Sequence, residues 1–132
     1  MRANDLIEEL RKATDGLLYM SETDEPFKVV HWKSEQGPID DRRVADLLGH
    51  PGGPIELLSL DDFFSNLIKE QDWHGEEEKE DVQNYRKLLS TVKQHLSEAK
   101  VLRIGTMAVD ILIIGRTPSG EWAGVRTRAV ET

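Results

Sequence analysis

Cysteine is absent from the 132 residues of this chain. There is therefore no disulfide framework, no thiolate metal site and no cysteine nucleophile, and the composition does not require an oxidising compartment. Long apolar runs are missing too: no segment approaches the roughly 18 consecutive apolar residues of a membrane span. The N-terminal segment MRANDLIEELRK carries acids where a signal peptide has its apolar core, so the expectation is a soluble, cytoplasmic protein. Positive charge is in deficit: 17 Lys and Arg stand against 25 Asp and Glu, a net charge of −8. That balance argues against binding nucleic acid or an acidic membrane, both of which need a clustered basic excess.

Recognisable catalytic machinery is also lacking. His31, His50, His74 and His95 never pair at metal-ligand spacing, and they read as ordinary surface or edge histidines. No serine sits in a G-x-S-x-G elbow. The glycine-rich stretch from Gly49 to Gly53 lacks the Lys and Ser/Thr of a phosphate loop and reads as a turn. A non-enzymatic protein with no cofactor is the expectation.

What is present suits one domain spanning 1–132, large enough to bury about two-thirds of its unfolded surface. Leu6, Ile7, Leu10, Ala13 and Leu17 recur at helical spacing, with Asn4 as a cap and Gly16 as a stop. Leu17–Met20 leads into a polar turn from Ser21 to Pro26, and Phe27–Trp32 reads as a strand ended by Gly37-Pro38. Asp40 should cap a short helix carrying Val44, Leu47 and Leu48 and closed by Gly49; a loop through Pro54 and a strand at Ile55–Leu58 follow. Ser59-x-x-Asp62 resembles a capping box for a helix burying Phe63, Phe64, Leu67 and Ile68.

After an interruption at 71–75, a long helix is expected from Glu76 to about Lys100, with Val82, Tyr85, Leu88, Leu89, Val92, Leu96 and Ala99 as its apolar stripe. The period then changes, and Val101–Gly105, Ala108–Ile114 and Glu121–Ala129 read as three strands. The second is apolar on both faces after Asp110, the mark of a central strand covered on both sides. Helices should therefore lie on both faces of a mixed, mostly antiparallel sheet.

Three surface features invite a binding role. Asp72, Glu76, Glu77, Glu78, Glu80 and Asp81 cluster against a single Lys79. Acids in a first helical turn complement the helix dipole, and Lys93 and Lys100 would suit the far end; the same run could equally meet a basic partner. Trp73 sits among charges between two helices, either folded back onto the core or exposed as an anchor for a partner. Trp32 and Trp122 lie in strand patterns and read as core or sheet-edge residues. Ser21–Pro26 places three acids on a turn, and Val130-Glu131-Thr132 directly follows a strand, which would hold a terminal carboxylate in place.

Taken together, the stretches Asp15-Gly16-Leu17-Leu18-Tyr19-Met20-Ser21-Glu22, Pro26-Phe27, Asp61-Asp62-Phe63-Phe64-Ser65, Gln71-Asp72-Trp73, and the closing Gly115-x-Thr117-Pro118-x-Gly120-x-x-Ala123-Gly124-Val125 and Val130-Glu131-Thr132 resemble the nuclease A inhibitor family. The likeness runs in order from the first helix to the last residue; 34–54 does not align, and His74-Gly75 departs from the family pattern. The resemblance implies a three-layer α/β/α sandwich and a non-enzymatic inhibitor of a magnesium-dependent, sugar-non-specific DNA/RNA endonuclease. It maps the inhibitory groups onto Glu22, Gln71, Trp73 and Thr132.

The chemistry is consistent with that role. A nuclease cleft holds anions with arginines and magnesium, and carboxylates can take the place of phosphates there. Glu22 would face arginines, Trp73 would supply apolar area and Gln71 a neutral hydrogen-bonding group. Thr132 would offer a carboxylate and a hydroxyl to the partner's magnesium, within the complex only. The alternative is an immunity-type or defence-associated acidic protein that binds another basic partner. Either would be a monomer when free.

Overall fold

A computed structural model describes residues 3–20, 23–50, 52–65, 67–69 and 75–130. Helix α1 spans Ala3–Thr14, one residue ahead of the expected cap at Asn4. The chain leaves it through Gly16, whose φ of 73° lies in the left-handed region that suits glycine. Two short strands follow, β1 at Leu18–Met20 and β2 at Asp24–Pro26, paired antiparallel as a separate two-stranded sheet. The sequence reading assigned 24–26 to a turn. An Asp-Glu-Pro segment has poor strand propensity, and it is held extended by its pairing with β1 and by the Thr127 hydroxyl, which donates to the carbonyls of Glu25 and Pro26.

Strand β3 (Lys28–Gln36) runs four residues beyond the expected end at Trp32. Asp40 then caps helix α2 (Asp41–Leu47) through bonds from the backbone N–H groups of Arg42 and Arg43. Strand β4 (Ile55–Leu58) and helix α3 (Leu60–Phe64) come next, with the Ser59 hydroxyl accepting from the Asp62 N–H. Helix α4 spans Glu76–His95. It stops five residues short of the expected Lys100, because Ser97–Ile104 is taken up as strand β5. Lys100 is thus no helix-terminal cation; it pairs instead with Asp41 of α2. Strands β6 (Ala108–Arg116) and β7 (Glu121–Val130) complete the chain.

The main sheet has five strands in the order β3-β7-β6-β5-β4, and every pairing is antiparallel. The expectation of a mixed sheet is therefore corrected: no parallel pair occurs among the described residues, because β5, β6 and β7 are joined by hairpins and β4 and β3 pair antiparallel at the two edges. Strand β6 is central, as its apolar run requires, with Val109 through Gly115 all buried. Alternation of its side chains divides the core in two. Val109, Ile111 and Ile113 pack with Leu6 and Leu10 of α1, Phe63 and Phe64 of α3, and Tyr85, Leu88 and Val92 of α4. Leu112 and Ile114 pack on the other side with Val44 and Ala45 of α2 and with Trp122. Trp122 is buried and Trp32, its cross-strand partner, half-buried, as expected for both.

Candidate functional site

Glu22, Gln71, Trp73 and Thr132, the four residues singled out in the sequence, lie outside the described residues. Their described neighbours have defined places. Met20 and Thr23 flank the tip of the β1–β2 hairpin, Gly75 begins α4, and Val130 ends β7.

These places share one end of the sheet. Strand β7 starts beside Arg116 and runs to Val130, opposite Ala108. Thr127, three residues before that end, holds β2. Helix α4 leads through Leu96 alone into Ser97, which pairs with Arg116, so its C-terminus lies at the opposite end. Its 20 residues, about 30 Å long, run back toward the end where β7 finishes. Midway along, the Tyr85 hydroxyl donates to the Leu18 carbonyl at 2.7 Å. At the next position, Arg86 Nε donates to the Ile68 carbonyl at 3.0 Å and ties down the chain ahead of the 70–74 segment.

Aromatic packing stiffens this end. Tyr19 stacks on Phe63 with centroids 5.9 Å apart, and Phe27 meets Tyr85 edge-on at 6.2 Å. Burial pushes the Tyr85 phenol well above its ordinary value, with further upward pushes from Tyr19 and Asp81, so it remains a hydrogen-bond donor.

The first turns of α4 concentrate negative charge. Glu76, Glu77, Glu78 and Glu80 are exposed, and Glu78 closes the helix start by accepting from the Gly75 N–H at 3.0 Å. Asp81 is raised above its usual range, first by partial burial and then by repulsion from Glu80, Glu77 and Glu78. The dipole thus accounts for part of the acid run but not for its density.

A second polar cluster escaped the sequence reading. Asp110, 2% exposed, accepts from His50 Nε2 at 2.6 Å and from Arg126 NH2 at 3.2 Å, with Arg128 Nε at 3.7 Å. His31 similarly meets Glu121 at 2.6 Å. His31 lies on the edge strand β3, as expected, but it and His50 are largely covered, and each has a carboxylate partner. One sign was available: an aspartate opening a buried strand needs a cationic or donor partner. Its partners, up to 60 positions away, were not legible. Among the described residues no group of three or more His, Asp or Glu side chains could hold a metal ion.

The chain is a mixed α/β protein with a five-stranded antiparallel sheet and an acidic start to its longest helix. The model for nuclease A inhibitor-like proteins matches residues 4–132, nearly the whole chain, and the chain belongs to that family. No curated protein matches the sequence.

Proposed function

We propose that this protein is an inhibitor that occupies the active-site cleft of a magnesium-dependent, sugar-non-specific DNA/RNA endonuclease and mimics phosphate with carboxylates. Membership of the nuclease A inhibitor-like family, over residues 4–132, carries this reading. In it, Glu22 pairs with cleft arginines, Trp73 buries apolar area beside them and Gln71 adds a neutral hydrogen bond. Thr132 offers carboxylate and hydroxyl oxygens, hard donors of the kind magnesium prefers. Their described neighbours at one end of the sheet support a single contiguous inhibitory surface. The acids at the start of α4 and the net charge of −8 would speed encounter with a basic cleft. The whole sequence, 1–132, acts as one domain, a three-layer α/β/α sandwich, monomeric when free and cytoplasmic.

The test is inhibition of plasmid cleavage by a sugar-non-specific nuclease titrated with this protein. Stoichiometric loss of cleavage, with a complex on size exclusion, is expected. A second preparation carries residues appended after Thr132, which turns the terminal carboxylate into an amide and adds bulk; it should inhibit far less. Deleting Thr132 should also impair inhibition, since it draws the carboxylate back by roughly 3.3 Å along an extended chain. Binding without inhibition would overturn the active-site mechanism in favour of an immunity-type protein.

A further inference from the structure

On the α2 face of the sheet, a concavity of about 280 Å³ is lined by Glu25, Pro26, Lys28, Asp110, Arg126, Thr127 and Arg128. We propose that it is a binding site for a small oxyanion, a phosphate or carboxylate group, held by Lys28, Arg126 and Arg128 over the buried carboxylate of Asp110. The proposal is independent of the nuclease reading.

Side-chain alternation places these groups. Lys28 shares the face of Val30 and Trp32, and Arg126 and Arg128 share that of Trp122, all in the core beneath α2. Lys28 and Arg126 are directly opposed in the β3–β7 register. Like charges in that position repel and would ordinarily be selected against. Lys28 has no acidic partner within ion-pair distance among the described residues, so the repulsion is not relieved from its side. In a chain of net charge −8, three cations converging on one hollow run against the overall composition.

Asp110 does not consume this charge. It is one carboxylate shared among His50, Arg126 and Arg128, and the Arg128 contact, at 3.7 Å, is longer than a hydrogen bond. Each guanidinium has five N–H donors, and Arg126 spends one of them on Asp110. The buried carboxylate therefore acts as an anchor that orients the guanidinium groups and leaves donors for a ligand, which is the pre-organisation that oxyanion recognition needs. Both arginine side chains remain solvent-accessible, with exposures of 32% for Arg126 and 53% for Arg128. The volume suits a single head group, being at the small end for ligand pockets. Among the described lining residues, Glu25 is the one opposing group besides Asp110, and its Oε1 accepts from the Thr23 hydroxyl at 3.3 Å.

The test is a titration of the protein, followed by amide NMR, with inorganic phosphate and separately with acetate, against chloride at matched ionic strength. Saturable shifts at Lys28 and at 126–128 with either oxyanion are expected. Tighter binding of phosphate would mark a phosphate site and tighter binding of acetate a carboxylate site. The double variant K28Q/R128Q leaves the His50 and Arg126 bonds to Asp110 in place, so it should keep its melting temperature while losing at least tenfold in affinity. Glu25→Gln should tighten binding. Shifts that chloride reproduces, or an affinity unchanged in the double variant, would overturn the proposal.

Discussion

The Tyr85 hydroxyl donates to the Leu18 carbonyl oxygen across 67 positions of sequence, at 2.7 Å. Through that bond the long helix, built on local periodicity, holds a small hairpin that has almost no local reason to form. Tyr85→Phe keeps the ring and its edge-on contacts with Phe27 and Phe64 but leaves the carbonyl without its donor. The expected cost is about 1 kcal/mol in urea unfolding, at unchanged m-value. If the hairpin carries an inhibitory residue, nuclease inhibition should weaken as well. An unchanged unfolding midpoint would show that the bond contributes nothing net.

Trp73→Ala should weaken nuclease inhibition by on the order of 2 kcal/mol or more, as for an interface hot spot, while the melting temperature holds. If instead the variant unfolds and inhibition tracks the lost stability, Trp73 is a core residue. Glu22→Gln should weaken inhibition and flatten its salt dependence, because one contact to a cleft arginine loses its charge assistance. Inhibition by E22Q that matches the parent at every salt concentration would return Glu22 to a solvated turn.

Asp81 makes stability depend on pH in a defined direction. Its carboxyl is raised in the folded chain by burial and by the neighbouring glutamates, against an ordinary value of 3.8. A raised carboxyl binds its proton more tightly when folded. Its contribution is therefore fully present below 3.8 and is lost as the pH rises through the raised value. At neutral pH the charged side chain works against the fold. Asp81→Asn should raise the melting temperature at neutral pH, with a gain that shrinks in acid and in high salt. A variant that melts at or below the parent temperature at neutral pH would show that the charge is not a burden.

Gly124 marks where β7 passes closest to β6. A Cβ there would lie 1.8 Å from the Ile113 carbonyl oxygen, a backbone atom in the most buried strand. Neither strand can yield without breaking its ladder. Gly124→Ala should cost about 3 kcal/mol or leave the chain unfolded, at the upper end of overpacking penalties. Far-UV circular dichroism and thermal melting would check this. A variant with the parent's stability would mean that the strands separate more easily than their register implies.

Much of the fold is written locally. The period of α4 marks Val82, Tyr85, Leu88 and Val92 for burial, and all four are buried. The two-sided apolar run of β6 places it at the centre of the sheet, and Asp40 and Ser59 announce their helices. The acid run and the order of the family motifs are likewise properties of the linear chain.

Tertiary structure decided what depends on distant partners. Asp24-Glu25-Pro26 is a strand because Leu18–Met20 and Thr127 meet it, not because of its own propensity. Ser97–Lys100 continues the amphipathic pattern of α4, yet it becomes strand because hydrogen bonding to β6 outweighs a last helical turn. His50, Asp110, Arg126 and Arg128 look unrelated along the chain. They converge because antiparallel pairing sets β6 beside β7 and the loop after α2 closes over them. Periodicity records which side of an element is buried; it carries no information about which remote charge will meet it there, and that was settled only by the packing of the sheet.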